Sequence, residues 1–393
     1  MTAHPTGAAE APVRAEAPVR AEAVEGSELP GARQARALVR RCVGEPAWAR
    51  PALVLIAALS GVAYGLHMGS TIEIFYAAAV RSMSTSWHDF LFAALDPAGT
   101  VSVDKLPGAL WLQALSVRVF GVHTWAIALP QVVEGVLTVL LVYRLVRRLA
   151  GPGAALAAAG LVGLAPATVS LDRGNISDTL LVLLMVLAAD SVVVAAKSGR
   201  SRHLAVAGVW VGLAFQAKML EAWVLLPALV LAYLVASPVP LRRRVGQLLA
   251  MVGIVTVVSL SWMTFVTLTP ASERPYVDGS TDNSVYAQVF DYNGFGRVGA
   301  PSPNQELGRT LRIPYLERPA PEASWDRLLT GAYGHDTGWL LPAALLLVPV
   351  ELFALRRRPR TDVLRAGVVL FGAWLVVLTA VFSATAINAY YLG

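Results

Sequence analysis

Apolar runs long enough to cross a bilayer dominate this sequence, and no other feature constrains the fold as tightly. They fall at residues 51–66, 125–142, 154–169, 179–196, 204–215, 222–236, 248–266, 339–355 and 363–386. A helix of roughly 20 apolar residues spans the ~30 Å hydrocarbon layer. Hydrophobic residues make up 56% of the 393 and charged residues 15%, against about 25% charge in an average soluble domain. The expectation is therefore an all-α, polytopic membrane protein of about nine transmembrane helices, the fifth and sixth joined tightly around Lys218 and Glu221. Soluble nucleotide-binding folds and disulfide scaffolds are excluded, and the single cysteine, Cys42, has no internal partner.

The net charge of +6 is explained by location. Arg144, Arg147 and Arg148 end the second run, Lys197, Arg200 and Arg202 follow the fourth, Arg242 to Arg244 follow the sixth, and Arg356 to Arg358 with Arg360 follow the eighth. All fall on one side if odd-numbered helices run outward, which puts the amino terminus in the cytoplasm by the positive-inside rule. No basic patch interleaved with aromatics is present, so a nucleic-acid partner is set aside. Residues 1–46 are rich in Ala, Pro, Glu and Arg with a repeated Pro-Val-Arg-Ala-Glu-Ala. That composition offers little to bury and reads as a disordered cytoplasmic tail, leaving 47–393 as the membrane domain.

This topology leaves two long outer loops, 67–124 and 267–338, and loops of that length usually carry function. In the first, 75–95 and 110–120 have amphipathic helical patterning with Trp87, Phe90, Trp111 and Phe120 as interfacial aromatics, as in helices that lie in the membrane plane. The second is rich in Gly, Pro, Asn and Asp and reads as irregular. Carboxylates gather on or near the same face: Glu73, Asp89, Asp96, Asp104, Asp172, Asp178, Asp278, Asp282 and Asp291. Asp104 and Lys105 sit together before an amphipathic segment. Asp178 opens the fourth helix, where a carboxylate also suits the positive helix terminus. Lys105, Arg173 and Lys218 are cations suited to a phosphate, though each could equally snorkel to the interface. Glu73 is placed to act as a general base on a hydroxyl, or to serve only as a helix-terminal charge. Lys218 and Glu221, at i and i+3, could simply pair. Glu134 and Asp190 lie inside spans with no visible partner. Gly294, Gly296 and Gly299 match a dinucleotide-binding spacing without the strand and helix it needs, and Asn175-Ile-Ser177 matches a glycosylation sequon too short to weigh.

Taken in order, Glu73-Ile-Phe-Tyr-Ala-Ala-Ala-Val-Arg81, Asp104-Lys105-Leu-Pro-Gly, Asp172-Arg173-Gly-Asn-Ile-Ser-Asp178, Lys218-Met-Leu-Glu221, and the loop with Asp282-Asn283 and Tyr-Asn-Gly-Phe-Gly-Arg297 resemble a family. It is that of the bacterial GT-C membrane glycosyltransferases related to protein O-mannosyltransferases and to the aminoarabinose transferase acting on lipid A. The resemblance, from about residue 51 onward, implies a polyprenyl-phosphate-linked sugar as donor and inverting transfer on the extracytoplasmic face of the plasma membrane to a protein, lipid or glycan acceptor. It implies catalytic roles for Glu73, Asp104 and Asp178, and a divalent metal at Asp104 and Asp178. It also implies lipid-phosphate contacts from Lys105, Arg81, Arg173 and Lys218, and a substrate loop carrying Asp282, Asn283 and Arg297. Ile72 stands where relatives place the first acid of an Asp-Glu pair, and Leu106 replaces a usual proline. Relatives continue through further helices beyond residue 393, so a shortened membrane domain is expected. The alternatives are a non-enzymatic lipid carrier or flippase, an inactive truncated homologue, and a small-solute transporter, for which no internal repeat speaks.

Overall fold

The structure is a computed structural model in which residues 46–297, 323–331, 334 and 338–385 are described. Residues 1–45, with Cys42, and 386–393 lie outside them. The described chain runs through α1 (Ala49–Gly65), α2 (Ile74–Thr85), α3 (Trp87–Phe92), α4 (Gly108–Phe120), α5 (Thr124–Ala150), α6 (Pro152–Leu164), α7 (Pro166–Asp172), α8 (Asp178–Ser198) and α9 (Ser201–Lys218). It continues through a 3₁₀ turn (Met219–Leu225), α10 (Leu226–Ala236), α11 (Leu241–Leu268), α12 (Leu341–Ala354) and α13 (Val363–Ala384). β pairing among the described residues is limited to two isolated bridges, Ala94–Ser102 and Val101–Tyr276. The fold is all-α, and the expected apolar runs fall largely in helix where they are described. Among the described residues, five helical stretches are by length and composition able to cross a membrane, or six if a bent pair counts as one span, against the nine expected.

That bent pair is α6 and α7, expected as one span. Proline disfavours helical backbone in the residue before it; Ala165 is accordingly extended at φ −61°, ψ 134°, and the two pieces meet at 57°. A second break lies within Ser201–Ala236, an apolar stretch of 36 residues. Straight, it would be about 54 Å long at 1.5 Å per residue, far beyond a bilayer. Its two ends instead meet: a Cβ on Gly199, just before α9, would lie 2.8 Å from Val239, just after α10. The stretch is thus a hairpin with its apex at Met219–Leu225, matching the tight junction expected around Lys218 and Glu221.

α8 is the hub, with 72% of its apolar window buried against 50% or less for the other long helices. At one end of the bundle the basic clusters converge. Lys197 Nζ donates to the Arg148 carbonyl at 3.2 Å, Gln247 Nε2 to Gly199 O at 3.2 Å, and Arg360 Nη1 to Ser237 O at 3.1 Å. Asp190, buried on α8, accepts from Arg144 at 2.5 Å and from Arg148, which supplies the partners that local sequence did not reveal.

The opposite end carries α2, α3 and α4, the helices expected in the first outer loop. Ala79, Val80, Met83, Leu110, Ala114 and Val117 give them a small core of their own. Indole N–H groups fasten them: Trp111 to Phe90 O at 2.7 Å, and Trp262 of α11 to Leu91 O at 2.8 Å. The Arg118 guanidinium lies 3.7 Å from the Trp87 ring centroid, a cation–π contact. The described part of the second loop, irregular as expected, packs back onto the first through Ser102 N–H to Tyr276 O at 2.8 Å.

Candidate functional site

The segment joining α7 to α8, Asp172 to Asp178, organises this end. Asp172 is buried and accepts from the Thr179 hydroxyl at 2.8 Å. Arg173 Nε donates to Ala63 O at 2.8 Å, tying down the end of α1. Gly174 presses on the stretch after α1, where a Cβ would sit 2.8 Å from Thr71 O. Asp178 then opens α8, and its side chain turns away from helix capping toward a cation.

That cation is Lys218, 6% exposed at the end of α9. It donates to Asp178 Oδ1 and lies 3.1 Å from Glu221 Oε2. Met219 beside it has φ +52°, ψ −134°, a costly backbone for a residue with a side chain. The strain falls at the turn where the chain leaves α9 and presents Lys218 and Glu221 together. A buried ammonium needs such compensation, because desolvation without a partner costs several kcal/mol.

Lys105 brings a second buried ammonium to the same place. It is 6% exposed, 4.7 Å from the Tyr76 ring centroid, and close enough to Glu221 to interact electrostatically. Gly108 makes the approach possible, since a Cβ there would lie 2.5 Å from the Gln216 carbonyl oxygen. Only the absence of a side chain lets the start of α4 butt against the end of α9. Asp104 accepts from the Tyr76 hydroxyl at 3.2 Å, and its carbonyl accepts from Asn293 Nδ2 at 2.6 Å. Gln288 bridges the loops, donating at 2.8 Å to both Val103 O and Asp278 O.

Lys105, Tyr76, Asn175, Ser177, Ala217 and the apolar Leu106, Ala109 and Leu110 line a small, partly open cavity. Its polar lining comes from the first outer loop and the α7–α8 segment, next to Asp178 and Lys218. In the second loop, Asp278 is raised above the ordinary carboxylate range by burial, a shift that the Gly279 N–H partly offsets and Asp104 increases. Farther out, hydrogen bonds from the Thr100 hydroxyl and from backbone N–H groups hold Asp96 below that range.

Not every expected residue joins this group. Glu73 is exposed at the start of α2, and its main chain is bonded to the Asn175 side chain. Arg81 is exposed on α2 and makes no contact with the cluster among the described residues. Arg173 is engaged with α1. Asp282 accepts the Ser284 N–H at 3.2 Å. Asn283, at φ +58°, accepts from Arg274 at 2.7 Å and from the Val277 N–H at 2.9 Å, so both shape their own loop. The Arg297 side chain lies outside the description. Tyr76, Asn175 and Glu221 enter the site without having been singled out for it. Glu221 had a visible signal in its i, i+3 spacing to Lys218.

A divalent metal at Asp104 and Asp178 would have to use the carboxylate oxygens that their partners leave, of which Asp178 Oδ2 is buried without a hydrogen-bond partner among the described residues. Asp178 Oδ1 is taken by Lys218 and Asp104 Oδ1 by Tyr76. No group of three His, Cys, Asp or Glu side chains gathers among the described residues. What the residues form is a pair of buried ammonium groups, Lys105 and Lys218, with Lys218 paired to Asp178 and Glu221.

A family model described as dolichyl-phosphate-mannose-protein mannosyltransferase matches residues 104–262, which hold Asp104, Lys105, the Asp172–Asp178 segment, Lys218 and Glu221. Two proteins of Bacillus subtilis (strain 168), YycA and YkcB, both provisionally named mannosyltransferases, are 42% identical over 63% of this chain and 36% identical over 66% of it. The chain spans little more than a third of either relative, 36% and 37% of their lengths. Among solved structures, ArnT from Cupriavidus metallidurans bound to undecaprenyl phosphate matches with a TM-score of 0.57 at 18% identity, over 86% of this chain and 57% of that one. Residues 104–262 are thus similar in sequence to the protein mannosyltransferase family, and the fold is similar to that of ArnT.

Proposed function

We propose that the protein transfers a sugar, with inversion, from a polyprenyl phosphate to a hydroxyl acceptor on the extracytoplasmic face of the bacterial plasma membrane. The observation that carries this reading is the cavity shared by Lys105 and the segment leading into the Asp178–Lys218 pair, at the end of the bundle away from the arginine clusters. A polyprenyl chain cannot leave the bilayer, so the anomeric carbon has to be met at its edge, where α2 and α4 lie. That ArnT was solved with undecaprenyl phosphate supports a donor of this chemistry.

In the step proposed, the acceptor oxygen attacks the anomeric carbon from the side opposite the phosphate. The carbon–oxygen bond to the phosphate breaks, and its electron pair stays with the leaving group. Lys105 and Lys218 stabilise that developing charge in place, without reorganisation at the moment of reaction. Glu73 takes the acceptor proton, a contribution typically worth about 10²–10⁴-fold. Asp104 and Asp178 act through their partners: Asp104 fixes Tyr76 beneath Lys105, and Asp178 holds Lys218 until an anion competes for it.

The test uses the full chain in nanodiscs with undecaprenyl phosphate as binding probe and labelled undecaprenyl-phosphate mannose as donor. Lys105→Met is expected to weaken lipid-phosphate binding at least about tenfold, the scale of one charge-assisted contact. Glu73→Gln is expected to slow sugar release while binding persists. Unchanged lipid binding in Lys105→Met would remove the proposed phosphate site. Lipid movement between leaflets without cleavage of the sugar–phosphate bond would make the chain a carrier.

A further inference from the structure

Asn175 has no part in the chemistry above, yet it is fully buried at the centre of the site. Its amide exchanges two hydrogen bonds with the main chain of Glu73. The Glu73 N–H donates to Asn175 Oδ1 at 2.7 Å, and Asn175 Nδ2 donates to Glu73 O at 3.2 Å. One fixed donor and one fixed acceptor face the amide, so its oxygen and nitrogen cannot be exchanged. Gln113 of α4, also fully buried, donates to the Asn175 carbonyl at 3.0 Å. The neighbouring strands of chain are laced in the same sense, with Gly69 N–H on Arg173 O at 2.8 Å and the Thr71 hydroxyl on Ser170 O at 3.3 Å.

Glu73, by contrast, is exposed and makes no capping bond with its side chain. Asn175 holds the Glu73 main chain and so fixes the point from which that carboxylate reaches out. Asn175 also lines the cavity beside Lys105 and Ser177. An anion entering there meets the same residue that grips Glu73.

We infer that Asn175 is a positioning residue that holds the Glu73 main chain beside the cavity that Asn175 itself lines, and couples occupancy of the cavity to the placement of the Glu73 carboxylate. The inference rests on the reading of Glu73 as the base. Its force comes from geometry: a base displaced by about 1 Å from the reactive arrangement can cost on the order of 10²-fold in rate. Asn175→Ala deletes both bonds. Asn175→Asp keeps the shape but sets a carboxylate oxygen where Nδ2 had donated, against the Glu73 carbonyl.

The experiment uses the full chain in nanodiscs, with turnover of undecaprenyl-phosphate mannose and binding of undecaprenyl phosphate measured separately. Both Asn175 variants are expected to lose roughly 10–100-fold in kcat, with lipid-phosphate affinity falling by a clearly smaller factor, more in Asn175→Asp than in Asn175→Ala. Adding Glu73→Gln to Asn175→Ala is expected to cost far less than Glu73→Gln alone, because residues that act as a unit are not additive. A second readout needs no activity. With Cys42→Ser and Glu73→Cys, undecaprenyl phosphate should change the rate of labelling by a water-soluble maleimide when Asn175 is present and not in Asn175→Ala. Lipid binding falling in step with turnover, additive losses, or lipid-dependent labelling that survives Asn175→Ala would each overturn the assignment. Glu73→Gln turning over donor at the wild-type rate would instead defeat the base assignment, while labelling still decides the coupling.

Discussion

Charge compensation at single residues decides what this site can hold. Lys218 is shared between Asp178 and Glu221, so its positive charge is available to an anion that outcompetes a carboxylate. Asp278 shows the opposite case, a carboxylate disfavoured by burial and by Asp104 nearby. A group raised in this way stabilises the fold fully below its unfolded pKa of about 3.9. That stability is lost as the pH rises through the folded value. Asp278→Asn keeps the oxygen that accepts the Gly279 N–H and cannot ionise. The variant should therefore melt higher than wild type at neutral pH, and the gap should close as the pH falls below about 4. Thermal unfolding in detergent across that range checks it; a variant that melts lower at neutral pH would show that the Asp278 charge is instead favourable.

At the level of elements, the site depends on a close approach between the start of α4 and the end of α9. Gly108→Ala forces a Cβ to within 2.5 Å of the Gln216 carbonyl oxygen and 2.9 Å of the Ala217 nitrogen, backbone atoms that cannot swing aside. Overpacking of this kind costs about 1–3 kcal/mol, and the strain is relieved by moving α4 with Lys105 off the hairpin apex. Undecaprenyl phosphate binding should fall with it. Gly153→Ala near the start of α6 meets nothing within 4 Å and should leave binding intact; equal losses in the two variants would deny Gly108 a special role. The elements themselves were legible because twenty apolar residues have one economical fate in a bilayer, and because Pro and the Lys218–Glu221 spacing mark breaks. The bend at Ala165 was carried by Pro166 and was outweighed by the continuous apolarity around it. What local pattern could not carry was pairing over long separations. Asp190 meets Arg144 and Arg148 more than forty residues away, and Asn175 reaches Glu73 across 102. Asn175 was also hidden behind a sequon match, since no local signal separates a buried amide from an exposed one.

Across the whole molecule, charge is sorted by end and by form. At one end Arg144, Arg147, Arg148, Lys197, Arg242, Arg243, Arg356 and Arg358 stand around the helix termini with few acids near them. At the other the ammonium groups of Lys105 and Lys218 are buried and compensated. Exposed arginine in short loops is retained on the cytoplasmic side, whereas acids contribute little to orientation. The cavity would then open away from the cytoplasm, and a donor would have to be presented in the outer leaflet. Ser272 and Ser201 report on the two ends, since both are exposed and stand beside opposite ends of membrane-length helices. In a Cys42→Ser background, Ser272→Cys should react with a membrane-impermeant thiol reagent in intact cells. Ser201→Cys should react only after permeabilisation. The reverse pattern would turn the molecule over, place Lys105 and Lys218 in the inner leaflet, and require a donor that never crosses the membrane before its sugar is transferred.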